Sequence, residues 1–329
     1  MPSSLSTPAV PAAPRSGFSL AALAQSRPRL VDAGIRIDRA PALGWLGLQC
    51  VALMPTWLWM AARLRDGSDD PLGLLALATL ALLVGRLRGE LRASPRLGWL
   101  VTATFGTLVA TVLRIGPGAL SAWPPLATGL LAVLAMACGL LAFLPRRVAP
   151  APVLGLAVLA LPLLSSLQFY AGYPLRVVTA EASRWLLMPG FTVSREGSTL
   201  LVDGRLVIVD APCSGVQMVW LGYFTACAVA LWAGRDNRGF LARLPAVGLL
   251  VLAGNIVRNS VLVALEGAGL QPPAVLHQVL GLALLALVCG GIARVMAGGM
   301  TGVMGRASAT RALTHAATHA VKGVGHGAV

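Results

Sequence analysis

Runs of about twenty apolar residues recur along the chain, and each is cut off by a short polar segment. A helix needs about 20 such residues to cross the ~30 Å of hydrocarbon in a bilayer. By that measure the runs at 41–62, 71–85, 97–113, 119–144, 150–170, 215–234, 244–265 and 277–297 read as membrane-crossing helices. The second run is short and the third modest, so counts of seven and nine stay open beside eight. The expected fold class is an all-α polytopic membrane protein with about eight transmembrane helices. Its hydrophobic unit, 41–297, is framed by a basic tail at 1–40 and a flexible Gly-, Ala- and Thr-rich tail at 298–329.

The polar gaps carry a second pattern. Residues 86–96 hold Arg86, Arg88, Arg92 and Arg96 against Glu90, residues 145–149 hold Arg146 and Arg147, and residues 235–243 hold Arg235, Arg238 and Arg243 against Asp236. The alternate gaps carry little net positive charge: 63–70 sets Arg63 and Arg65 against Asp66, Asp69 and Asp70, 114–118 carries Arg114 alone, and 266–276 carries only Glu266. Both tails are basic. Positive loops alternating with neutral ones are what the positive-inside rule asks of an even number of spans with both ends in the cytoplasm. Residues 1–39, rich in Pro, Ser and Arg without a long apolar core, read as a cytoplasmic tail rather than a secretory leader.

One long gap, 171–212, falls on the outer side and has β character. Val193 to Asp210 reads as two short strand-prone runs around Asp203-Gly204. Both turn positions of such a hairpin need positive φ, which Asp-Gly supplies. A small extracytoplasmic β-hairpin is expected there, leading into Ala211-Pro212-Cys213-Ser214-Gly215. The stretch Trp185-Leu186-Leu187-Met188 is expected on the membrane surface before it.

Composition supports this reading. Of 329 residues, 57% are hydrophobic and 12% charged, and the mean hydropathy is +0.78; soluble domains hold about 25% charged residues. The net charge of +14 comes from 26 basic residues, 25 of them Arg, against 12 acidic ones. In a soluble chain this excess would point to nucleic acid. Here the arginines lie between apolar runs, where they orient helices and meet lipid headgroups, so membrane lipid is an expected partner and nucleic acid is not.

The candidate chemistry lies toward the outer face. Cys50, Cys138, Cys227 and Cys289 fall inside expected helices, where a thiol acts as a small hydrophobe. Cys213 falls outside, at the mouth of the sixth span, and an unpaired thiol in an oxidising compartment is a liability unless it is used. Arg258 stands in the seventh span about seven residues before its outer end, ~10 Å deep. Asn255 and Asn259 share its face, and a charge at that depth marks a functional site by default. His277 opens the eighth span. Each residue has a plain reading of its own: a chance exposed thiol, an anchor reaching for headgroups, an interfacial imidazole. Their common sidedness favours a joint role. An imidazole and a guanidinium promote the thiolate, a guanidinium stabilises an oxyanion, and an imidazole protonates a leaving amine, so the set points to acyl transfer through a thioester. His315 and His319 have a metal-compatible spacing but lack a further ligand, and no metal or organic cofactor is implied.

Cys213-Ser214-Gly215, Asn255 with Arg258, and His277 with Gly281 together resemble the exosortase/archaeosortase family. The resemblance spans about 41–297, with the specific signal in 190–282. It implies a membrane-embedded cysteine protease and transpeptidase of the bacterial inner membrane with its site facing the periplasm. Its partners would be secreted proteins ending in a sorting signal of the PEP-CTERM type, a transmembrane helix and a basic tail, in cells that couple the system to exopolysaccharide. By motif matching, Cys213 would be the nucleophile, Arg258 the oxyanion or thiolate stabiliser and His277 the acid/base. Ser214, Gln217, Asn255 and Asn259 would contact substrate. Many family members carry Arg where this chain has Gln217, which bears on subfamily and substrate choice. The competing functions are a transporter, with Arg258 and the Asn pair lining an anion path, and a non-catalytic scaffold for polysaccharide export. No repeat of the 213–281 pattern occurs in 41–170, as two transporter halves would often show.

Overall fold

A computed structural model describes residues 42–67, 69–118, 122–208, 214–270 and 274–298. The tails, with His315 and His319, lie outside the described residues, and so does Cys213. Apolar runs rich in Leu and Ala become helices because the backbone bonds to itself and leaves only side chains facing lipid. In chain order the helices are α1 (Ala42–Ala52), α2 (Met54–Arg65), α3 (Gly73–Leu87), α4 (Leu97–Ile115), α5 (Pro125–Phe143), α6 (Pro150–Leu159), α7 (Leu164–Leu187), α8 (Val216–Trp232), α9 (Asn237–Leu241), α10 (Leu244–Gly267) and α11 (Ala274–Ala297).

The apolar pattern and the helices differ at two prolines. The expected span 41–62 is two helices meeting at 65°, and the expected span 150–170 is α6 followed by a 94° bend into α7. Pro55 and Pro162 lie at these breaks, where a missing N–H and a bulky ring stop a helix from running through. By length and composition, four helices among the described residues can cross a membrane, or six if each bent pair counts as one crossing. The two other expected spans form as α3 and α8, of 15 and 17 residues. At 1.5 Å per residue they reach only ~22 and ~26 Å. Among the described residues, four to six crossings are thus supported by length and composition, and eight is not confirmed.

After the bend, α7 continues to Leu187 with Pro174 inside it. Trp185-Leu186-Leu187, expected as a surface stretch, is the last turn of this helix, with Leu187 buried and Trp185 and Leu186 exposed. The β region beyond it holds three strands rather than two: β1 (Val193–Glu196), β2 (Thr199–Val202) and β3 (Arg205–Ile208), antiparallel in that order. Asp203 and Gly204 both have positive φ (48° and 80°) and join β2 to β3, pairing Val202 with Arg205. The unexpected first hairpin turns at Gly197, also at positive φ. Glu196-Gly197-Ser198 divides the strand-prone run 193–202 into β1 and β2.

The sheet covers one end of the bundle. Leu200, Val202 and Val207 pack with Ala180 and Leu187 of α7 and Val263 of α10. At Gly267 the last turn of α10 passes so close to Val202 that an added Cβ would lie 2.6 Å from its side chain. Beneath, α8, α10 and α11 wind together. Gly222 of α8 faces Val251 and Ile292, Gly254 of α10 faces Val288, and Arg235 after α8 donates to the Met296 carbonyl at the end of α11. These contacts run α8 and α11 the same way and α10 against them, which brings the starts of α8 and α11 to the sheet end. Small residues at the crossings let the backbones approach, the usual means of helix association in lipid.

Gly254→Val tests this packing. The new side chain would run into Val288, whose β-branch cannot turn away. Overpacking of this kind costs about 1–3 kcal/mol. A lowered thermal midpoint in detergent is expected, partly restored by Val288→Ala.

Candidate functional site

The start of α8 is set by Gly215. It sits at the N-cap in the left-handed region, φ +81°, and its carbonyl accepts the first helical bond from the Val219 N–H. A β-carbon there would be strained, and it would also lie 2.7 Å from the Asn255 carboxamide. Two reasons therefore require glycine: the turn needs its φ, and α10 needs its missing side chain.

Ser214, 2% exposed, donates from Oγ to Gln168 Oε1 at 2.8 Å. Asn255, 3% exposed, donates from Nδ2 to Thr179 Oγ1 at 3.1 Å. Both acceptors belong to α7. That helix is tied by one side chain to the segment before α8 and by another to α10, and Gly215 and Asn255 close the triangle. Buried polar groups need such partners, since each one left unmade costs about 1–3 kcal/mol. Asn259, one turn beyond Asn255, is buried as well, at 2%.

Arg258, three positions from Asn255, is half-buried. Its Nη2 lies 3.3 Å from Nε2 of His277, on the first turn of α11. A guanidinium has no lone pair to offer, so as a hydrogen bond this contact has Nη2 donating and Nε2 accepting. Gly281, one turn after His277, presents its bare α-carbon to the same guanidinium; a Cβ there would sit 3.4 Å from Arg258 Nε. The charge is thus enclosed by a histidine lone pair and a glycine face from one neighbouring helix.

Gln217 points another way. Its Nε2 donates to Asp70 Oδ2 at 3.1 Å, bridging α8 to the loop before α3. The adjoining Asp69 is buried, accepts from both the N–H and the Oγ of Ser165, and pairs with Arg63 at 3.5 Å.

Of the residues the sequence singled out, the structure joins Arg258 to His277 and Gly215 to Asn255, buries Ser214 and Asn259, and turns Gln217 to Asp70. Sequence reasoning missed Gln168, Thr179 and Asp70 as partners. Gln168 had a faint signal, a carboxamide within an expected apolar span; Thr179 had none.

The turn makes a measurable prediction. Gly215→Ala is expected to lose about 1–3 kcal/mol from strain and crowding. In an Asn255→Ala background the crowding is relieved and only the strain remains. A double-mutant cycle read by thermal unfolding in detergent should give a coupling clearly different from zero.

A family model described as transmembrane exosortase matches residues 59–294 of the chain. No curated protein and no solved structure matches it.

Proposed function

The chain belongs to the transmembrane exosortase family, and on that premise we propose that it is a membrane cysteine transpeptidase acting on secreted proteins with a C-terminal sorting signal of the PEP-CTERM type. The observation that carries the reading is the Arg258–His277 contact. Two residues from separate helices, chosen for acid/base and anion chemistry, meet at the end of the bundle where Ser214 and Gly215 begin α8.

In this reading Cys213, immediately before Ser214, is the nucleophile. In this step Arg258 turns from the Nε2 lone pair to the substrate carbonyl, Nε2 takes the proton of Cys213, and the thiolate attacks that carbonyl to form a tetrahedral oxyanion. Arg258 stabilises that charge; unlike a lysine it offers a planar fork of donors. His277, now protonated, gives its proton to the departing amine, and the carbonyl remains as a thioester on sulfur. Water or an amine then takes the acyl group and releases the thiolate. The released piece is the substrate's own membrane helix and basic tail, which suits a site at helix ends close to headgroups.

The same reading sets the chain in the bacterial inner membrane with both termini cytoplasmic and the sheet end in the periplasm, where secreted substrates arrive. Ser214, Asn255 and Thr179 serve as positioning residues that hold the nucleophile's turn against the arginine helix. A link to exopolysaccharide production follows from the family and is part of the proposal.

Co-expression with a tagged substrate bearing the tripartite signal tests the chemistry, with size on a gel as readout. Cys213→Ala should abolish the processed band, and processing equal to wild type would overturn the mechanism. Arg258→Lys should slow processing about 10²–10³-fold, the usual loss for an oxyanion donor. Arg258→Lys combined with His277→Ala should be little worse than the more damaging single change, because groups that act as a unit are not additive.

A further inference from the structure

Away from the Arg258–His277 contact, α1, α2, α3, α5 and α6 enclose an apolar groove of about 680 Å³. Leu46, Met60, Leu74, Leu77 and Met136 contribute to its wall. Asp70 is the one charged side chain lining it among the described residues. The nearby cation Arg63 is committed to Asp69, and Asp70 takes part in none of the ion pairs formed among the described residues. It is exposed, and its carboxylate accepts from the neutral donor Gln217 Nε2. Arg65, also exposed, ends α2 next to Leu64, another groove residue.

A carboxylate beside an apolar slot complements a molecule that is apolar along most of its length and cationic at one end. Volume decides what kind of molecule. The groove falls in the ~300–1,000 Å³ range of small-ligand sites. Charge decides the headgroup: an anion alone would be repelled by Asp70, whereas a zwitterion with an ammonium would meet Asp70 and Arg65 together.

We propose that this groove binds an acyl chain of an aminophospholipid, with the headgroup ammonium on Asp70 and the phosphate toward Arg65. Because Asp70 also accepts from Gln217, on the first turn of α8, the headgroup braces the same carboxylate that holds the start of that helix. A lipid is thereby built into the wall leading to the Ser214–Gly215 turn.

The test uses the full-length chain carrying Cys213→Ala in vesicles, so that binding is read whether or not the transpeptidase reading holds. Trp57 lines the groove, and the difference between this chain and its Trp57→Phe version isolates that indole's fluorescence. Brominated phosphatidylethanolamine, mixed into phosphatidylglycerol vesicles, is expected to quench Trp57 in preference to brominated phosphatidylglycerol. Asp70→Asn should reduce the preference about tenfold, a loss of ~1.4 kcal/mol, while Asp70→Glu keeps it. Ala81→Phe, which fills the groove, should abolish quenching by either lipid; if that chain fails to fold, the Asn and Glu variants decide alone. Equal quenching by the two lipids, or an unchanged preference in Asp70→Asn, overturns the proposal. So does a synthetic transmembrane peptide that shields Trp57 while lipid does not reach it, which would assign the groove to a peptide helix instead.

Discussion

A guanidinium within an apolar helix is the constraint around which this molecule is arranged. Left to itself, Arg258 would pull water and headgroups into the bilayer or drag its helix toward the interface. The chain instead supplies part of a solvation shell from protein: the His277 lone pair and, one turn further along the same helix, the bare Gly281 backbone. That shell exists only if α11 starts where α10 is about two turns from its end, and the small residues at Gly222 and Gly254 allow that approach. The sheet then covers the end of the bundle by packing on α7 and α10. Helix packing, polar burial and site geometry are one problem here, solved at one end of three helices.

The buried amides follow the same logic. Asn255 would be a liability in an apolar interface without Thr179, and Ser214 without Gln168. Each pair joins segments distant in sequence, so each fixes relative placement as well as satisfying a donor. Gly215 adds a steric condition, since nothing larger fits between its turn and Asn255. A site assembled this way holds its shape through contacts that no single helix supplies.

How much of this was legible in the sequence depends on the range of the interaction. Apolar runs report their own helices, because the signal lies in twenty consecutive residues, and Asp203-Gly204 reports its own turn. Arg258 and His277 were legible as chemistry because a charge and an imidazole are out of place where they stand. The breaks at Pro55 and Pro162 were visible as residues but not as breaks, since the hydropathy on either side is continuous. The third strand was hidden because Glu196-Gly197-Ser198 is a weaker turn signal than Asp-Gly. The partners of Ser214, Asn255 and Gln217 lie 46, 76 and 147 residues away, and no local period encodes such pairings.

The 94° corner at Pro162 has a consequence of its own. By uncoupling the direction of α7 from that of α6, it frees a single uninterrupted helix to serve as a ruler. Gln168 and Thr179 are engraved on it roughly 16 Å apart, eleven residues at 1.5 Å each. One mark gauges where α8 begins and the other where α10 passes, so inserting or deleting a residue between them would rotate one mark by about 100° and put the two helices out of register without altering either of their sequences.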